Sequence, residues 1–101
     1  MATETKEKEP AYTFDGPSRE LPDGDSDHYI RRALAAYWRT ARKEEVHYPI
    51  PSERRNTMVV YDDHFYVVLA NTSDILAMYR VKNDGALRRL RRYPASIKEL
   101  F

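Results

Sequence analysis

The 101-residue chain contains no cysteine, which excludes a disulfide framework, a zinc–thiolate site and a cysteine nucleophile. Only three glycines are present, and none opens a helix after a strand-like run, so a glycine-rich phosphate loop is excluded as well. No apolar run approaches the length of a membrane span, and the charged first residues lack the apolar stretch of a secretory signal. We therefore expect a soluble, cytoplasmic protein with no membrane partner.

Recognisable catalytic motifs are also missing. The sequence has no G-x-S-x-G, and its three histidines are scattered at spacings that match no metal motif. We expect no metal, no small-molecule cofactor and no enzymatic activity. A small metal-independent ribonuclease is the weakest alternative, and its candidate residues would be His64, Arg80, Arg88 and Tyr93.

Charge is distributed unevenly along the chain, although the formal net charge is only +1. Residues 1–27 carry a net charge of −5, whereas residues 28–101 carry +6. Residues 1–26 also hold three of the six prolines and few large apolar side chains, so we predict a disordered acidic tail there. Within the tail the exception is AYTF, residues 11–14, which could dock as a short strand or as a linear motif. Residues 27–101 are predicted to form a single small α+β domain.

One amphipathic helix is predicted directly after this tail. Ser26 is the expected N-cap, with Asp27 in the first turn, where the helix dipole favours an acid. The helix is expected to extend through the glutamates at 44 and 45. Its apolar stripe is predicted to consist of Ile30, Leu34, Tyr37, Trp38 and Ala41.

The remaining sequence predicts β-structure. Strands are expected at 57–61, 64–70, 75–82 and 86–93, separated by turns at Asp62-Asp63, at residues 71–74 and at residues 83–85. Pro94 ends the last strand, and residues 94–101 are expected to form one helical turn. The predicted fold class is α+β, with one amphipathic helix packed on a four-stranded antiparallel meander in the order α-β-β-β-β.

The predicted strand at 64–70 is apolar on both faces, and a single helix covers only one face of a sheet. Two covers for the other face remain open: a second copy of the chain, or the proline-containing connector together with the C-terminal turn. The first makes a homodimer plausible. A tyrosine-rich sheet face would suit a protein partner, and its predicted interface residues are Tyr66, Val68 and Tyr79.

Arginine outnumbers lysine, 12 to 5, and is the better bidentate ligand for phosphate. The candidate anion- or nucleic-acid-binding residues are Arg31, Arg32, Arg39, Arg42, Arg54, Arg55, Arg88, Arg89, Arg91 and Arg92. The alternative is a solvated surface, or a charged edge strand that resists aggregation. Because strand residues alternate between faces, Arg88 and Arg92 should face away from Arg89 and Arg91.

Together these patterns favour a small non-enzymatic binding or regulatory module that acts through protein association, with itself or with a partner. The alternative function is nucleic-acid binding through the arginine clusters.

Overall fold

The computed structural model describes residues 10–14, 16, 21–45 and 47–101. Much of the predicted disordered tail lies outside these residues. Two helices and five strands are present among the described residues: β1 (Tyr12–Thr13), α1 (Ser26–Glu44), β2 (Thr57–Tyr61), β3 (His64–Ala70), β4 (Ile75–Val81), β5 (Leu87–Arg89) and α2 (Ala95–Lys98).

The sheet is an antiparallel meander in the order β1-β2-β3-β4-β5. The α+β class and the antiparallel meander are confirmed, whereas the predicted strand count of four is wrong. The additional strand is β1, in which Tyr12 pairs with Val60 and Thr13 with Val59. This short strand saturates part of the β2 edge, whose backbone groups would otherwise be unpaired within the sheet.

Two turns set the strand registers. Asp62 and Asp63 both have positive φ, 54° and 63°, as the two-residue β2–β3 hairpin requires. The β4–β5 hairpin is a three-residue loop, 83–85, closed by a 2.8 Å hydrogen bond from the Lys82 N–H to the Ala86 carbonyl. Gly85 in this loop has φ 88°, a backbone conformation in which a residue with a side chain would be strained. This loop places Arg89 opposite Tyr79.

Strand β5 is shorter than the predicted 86–93. Its pairing with β4 ends near Leu90, whose N–H donates to the Met78 carbonyl at 2.9 Å, and the chain then bends at residues 91–92. The bend allows the following segment to cross the sheet instead of continuing along its edge.

Helix α1 begins one residue earlier than predicted, and its buried face is rotated. Asp25 rather than Ser26 is the N-cap, because its Oδ1 accepts a 3.0 Å hydrogen bond from the His28 N–H. The fully buried positions recur every four residues, at Tyr29, Ala33, Tyr37 and Ala41. Of the predicted stripe, Tyr37 and Ala41 are buried, whereas Ile30, Leu34 and Trp38 are only half-buried.

The rotation follows from side-chain size. Ala33 allows the helix backbone to approach the sheet, and the rings of Tyr29 and Tyr37 fill the space on either side of it. Trp38 packs at the margin of this core. No helix in the described ranges combines the length and the apolar character that crossing a bilayer requires.

The sheet has an apolar core on each face. On the helix side, Met58, Val67 and Leu69 pack beneath α1. On the opposite side, Val68 and Met78 pack with Ile97 of α2, and the partly buried residues around them include Leu90, Tyr93 and Phe101. The C-terminal turn therefore covers this face, and Val68 is completely buried without a second copy of the chain. A homodimer stays a prediction, and burial of this face does not require it.

The rotation of α1 can be tested by truncating two aromatic residues. Tyr29→Ala should lower the free energy of unfolding by about 3–5 kcal/mol, because the ring is completely buried. Trp38→Ala should cost less, since Trp38 is half-buried. Urea unfolding of both variants measures the difference. A greater loss for Trp38→Ala would restore the stripe predicted from the sequence.

The C-terminal cover can be tested at two apolar positions on adjacent turns. Ile97→Ala should lower the free energy of unfolding by about 2–5 kcal/mol, since Ile97 is fully buried against the sheet. Leu100→Ala is the matched control, because Leu100 is 40% exposed, and it should cost less than about 1 kcal/mol. Equal losses in thermal or urea unfolding would contradict the specific role of Ile97.

Candidate functional site

The three residues predicted as a protein interface are buried within the chain. Tyr66 is 7% exposed, Val68 is fully buried and Tyr79 is 3% exposed. Moreover, Tyr66 and Val68 belong to the C-terminal side of the sheet, whereas Tyr79 belongs to the helix side. The exposed face that was to contain both Tyr66 and Tyr79 is therefore absent, because the strand register places these two rings on opposite faces.

The helix arginines lie in two stripes. Arg32 and Arg39 are seven residues apart, which places them on one side of α1. Arg32 Nη1 donates a 2.8 Å hydrogen bond to the Gly85 carbonyl, so this side runs along the β4–β5 hairpin. Arg31 and Arg42 are eleven residues apart on a neighbouring stripe, and both are exposed.

The remaining arginines are divided among different surfaces. As predicted from strand alternation, Arg88 and Arg89 face opposite ways: Arg88 pairs with Arg80, and Arg89 pairs with Tyr79 on the helix side. Arg55 lies under the C-terminal segment, near Phe101. Arg54, Arg91 and Arg92 are exposed in turns and bends. The ten candidate arginines thus do not form one patch.

These arginines share a lack of counterions. The single ion pair among the described residues joins His28 to Asp23 at 3.8 Å. No arginine in the described ranges has a carboxylate oxygen within 4.0 Å. The contacts of Arg32, Arg55 and Arg89 are instead with aromatic rings.

The helix side of the sheet has an open cleft of about 300 Å³, which we call the tyrosine cleft. It lies between α1, the connector and the start of β4, and its lining is Tyr37, Tyr48, Pro49, Asp74, Ile75, Leu76 and Arg89. The ring centroids of Tyr37 and Tyr48 are 5.0 Å apart. Arg89 Cζ is 5.9 Å from each of these two centroids, within the range of a cation–π contact.

Two hydrogen bonds fix the tyrosines of the cleft. The Tyr37 hydroxyl donates to the Pro49 carbonyl at 2.8 Å, which ties the connector to the helix. The Tyr48 hydroxyl donates to Glu44 Oε1 at 2.7 Å, at the helix C-terminus. The prolines of the connector favour an extended backbone. Along this path the ring of Tyr48 packs against the ring of Tyr37.

The electrostatics of the cleft keep its phenols protonated. Burial raises the pKa of Tyr37 and of Tyr79, and the positive charge of Arg89 partly opposes the increase. The hydrogen bond to Glu44 is the main cause that raises the pKa of Tyr48. The Tyr79 hydroxyl is buried behind the cleft and has no hydrogen-bond partner.

The titratable groups of the cleft are few. Its lining contains one carboxylate, Asp74, and no histidine. Of the residues considered for a ribonuclease, Arg80 and Arg88 are paired across β4 and β5, and His64 lies two residues from Tyr66, the partner of Arg80. Tyr93 is not brought to them, because it lies beside Ile75 at the other end of the sheet, about 20 Å along the strands from His64. In the described part of the chain, no group of three potential metal ligands gathers at one point.

Sequence reasoning identified Arg89 and Arg39 as candidates but missed the partners of Arg89. Tyr37 was assigned to the core, and Tyr48 to a connector without a role. No local pattern marks this ring pair, since Tyr48 lies beyond the end of α1 and returns to it only through packing. The asparagine at the β3–β4 turn is a recognisable signal: Asn71 Oδ1 accepts from the Asp74 N–H at 2.8 Å and so positions the acidic wall of the cleft.

No protein-family model, curated protein or solved structure matches this chain.

The buried phenol of Tyr79 leads to a prediction about pH. Its folded pKa lies above the ordinary value of 10.0, so above pH 10 the unfolded chain releases a proton that the folded chain retains. The free energy of unfolding should therefore fall as the pH rises above 10. Tyr79→Phe should make this fall shallower and leave stability at pH 7 unchanged or higher, because the unpartnered hydroxyl is removed.

Urea unfolding between pH 7 and pH 11 measures this effect. Tyr12→Phe is the matched control, because Tyr12 is exposed on β1. Its pH dependence should equal that of the wild type. The same slope for wild type and Tyr79→Phe would contradict the assignment of Tyr79.

Proposed function

We propose that this chain is a small non-enzymatic binding protein whose ligand is a single-stranded nucleic acid held at the tyrosine cleft. The observation that carries the proposal is Arg89, an exposed guanidinium placed against the rings of Tyr37 and Tyr48 with no carboxylate partner. Proteins that bind single strands use this combination, in which cations contact the backbone and aromatic rings stack with bases.

The charges near the cleft support a polyanion. Arg39 belongs to α1, which packs on the side of the sheet where Arg89 lies against Tyr37. Arg32 continues this side of α1 toward the β4–β5 hairpin. Arg32, Arg39 and Arg89 thus lie on the helix side of the sheet, with Arg32 and Arg39 two helical turns apart on α1, where a strand bound at the cleft would contact them. Contacts of these arginines with the phosphates would release the counterions condensed on the nucleic-acid strand, and this release would contribute to binding.

The size of the cleft favours a single strand over a duplex. The ring of Tyr48, which is half-buried and packs over the buried ring of Tyr37, can stack with an unpaired base but cannot reach a base inside a duplex. Asp74 at one end of the cleft would accept hydrogen bonds from base or sugar donors and would disfavour a phosphate there.

Protein association is the function favoured from the sequence, and it stays a prediction. The residues on which it was based, Tyr66, Val68 and Tyr79, are buried within the chain. A different observation favours it as the second candidate. Ile50 is 76% exposed and lines an apolar hollow of about 430 Å³ together with Trp38 and Ala41. Apolar association at this hollow should be nearly independent of salt, whereas nucleic-acid binding should weaken steeply with salt.

Fluorescence anisotropy with a labelled 12-nucleotide oligouridylate tests the proposed function. Wild-type affinity should fall steeply as salt rises from 50 to 200 mM. Arg89→Ala should weaken binding and reduce the steepness of log K against log salt by about 0.7, the contribution of one phosphate contact on a single strand. Tyr48→Leu should weaken binding by about fivefold or more through lost stacking, with little change in the salt dependence.

Arg42→Ala is the matched control, because Arg42 is an exposed arginine of α1 that does not line the tyrosine cleft. It removes the same charge and should change affinity by less than about twofold. An equal loss of affinity in Arg42→Ala and Arg89→Ala would show that binding depends on net charge and not on the position of Arg89. An absence of binding at 50 mM salt would refute the proposed function.

A further inference from the structure

A second cavity of about 340 Å³ lies on the other face of the sheet, beneath the C-terminal segment. We call it the Arg55 cavity. Arg55, Tyr93, Lys98 and Phe101 line it, together with Asp74 and its neighbours at the β3–β4 turn. Its volume is within the range of small-molecule sites. It is separated from the tyrosine cleft by the sheet, and the two approach each other only at Asp74 and Ile75.

The guanidinium of Arg55 is held in this cavity without an acceptor. Its Cζ lies 6.0 Å from the Phe101 ring centroid. Its Nε is buried and has no hydrogen-bond partner within the described residues. A buried donor without an acceptor costs free energy, and a ligand that supplies an anionic oxygen removes that cost.

The other walls indicate which oxygen-bearing ligand would fit. Lys98 of α2 adds a second cation, and no carboxylate of the described chain lies within 4.0 Å of it. Tyr93 and Phe101 are half-buried aromatic side chains, suited to the faces of a planar ring. Asp74 adds one carboxylate, which accepts hydrogen bonds from hydroxyl or N–H donors and repels a phosphate.

We infer that the Arg55 cavity binds a nucleoside monophosphate group, with the phosphate at Arg55 and Lys98 and the base against Tyr93 and Phe101. Asp74 would accept hydrogen bonds from the sugar hydroxyls or from the base. The group can come from a free nucleotide or from the 5′-phosphorylated end of a nucleic-acid strand, since both present the same chemistry. This site uses none of the cations of the tyrosine cleft, although Asp74 lines both.

Isothermal titration calorimetry of the full chain with AMP, adenosine, ribose 5-phosphate and inorganic phosphate tests the inference. AMP should bind about tenfold or more tightly than each of the other three, because only AMP engages both the cations and the aromatic walls. Arg55→Met, which keeps an apolar side chain against Phe101, should weaken AMP binding by about tenfold or more. The matched control is Arg54→Met, which removes an exposed neighbouring charge and should leave the affinity unchanged.

Thermal unfolding establishes that Arg55→Met is folded. Lys98→Met supplies a second variant at an exposed position and should also weaken AMP binding. No AMP binding by the wild type at millimolar concentration, or equal losses for Arg55→Met and Arg54→Met, would overturn the inference. Equal affinity for AMP and inorganic phosphate would also overturn it, because the aromatic walls would then have no role.

Each site's variant is also tested with the ligand of the other site, which shows whether the two ligands bind separately. Arg89→Ala should leave AMP binding unchanged, and Arg55→Met should leave the salt dependence of oligouridylate binding unchanged. Loss of AMP binding in Arg89→Ala would overturn the assignment of separate cations to the two sites, whatever the outcome for oligouridylate. Tighter binding of a 5′-phosphorylated strand than of its 5′-hydroxyl form, lost in Arg55→Met, would identify a strand end as the source of the nucleotide.

Discussion

Strand β3 is apolar on both of its faces, and the need to cover both faces at once is the constraint on which the rest of the structure depends. Helix α1 covers one face with Tyr29, Ala33, Tyr37 and Ala41, and the C-terminal segment covers the other with Ile97 and its neighbours. Neither cover is large, but together they leave Val67, Val68, Leu69 and Ala70 fully buried. A protein of this size has little apolar surface available for a core, so few large apolar side chains are left exposed in the described ranges. Its binding surfaces are therefore built from arginine and tyrosine.

The β4–β5 hairpin decides which arginine enters the tyrosine cleft. A three-residue loop closed by Lys82 and Ala86 gives the register in which Arg89 lies opposite Tyr79. A loop shorter or longer by one residue would exchange the two faces of β5, and Arg88 would then point toward the helix. Gly85 makes the observed loop possible, because its backbone has positive φ. The backbone conformation required at Gly85 thus helps to determine which arginine lies in the tyrosine cleft.

The charge distribution separates structural from binding roles. The carboxylates of the described chain lie in caps and turns, where Asp25 caps α1, Glu44 accepts from Tyr48 and Asp84 Oδ1 accepts from the Ala86 N–H. The arginines of the described ranges, in contrast, have no carboxylate partner there, and three of them lie against aromatic rings. Salt bridges on an exposed surface contribute little to stability, so their absence costs the fold little. It leaves the cations available to an external anion, on the helix side at Arg89 and on the C-terminal side at Arg55.

Local patterns in the sequence were sufficient for the helix, for three of the strands and for the turns between them. Residues 57–61 and 64–70 form strands within the predicted limits, because their β-branched and aromatic runs are bounded by turn residues whose chemistry is unambiguous. The sequence also predicted that Arg88 and Arg89 face opposite ways, since alternation is a property of any strand. Only the tertiary structure decided the rotation of α1, the pairing of Tyr12–Thr13 with β2 and the burial of Tyr66, Val68 and Tyr79. These three features depend on which distant surfaces pack together, and no local sequence pattern specifies that packing. The tyrosine cleft and the Arg55 cavity were likewise decided only by the tertiary structure, because each brings together residues from three or more segments that are distant along the chain.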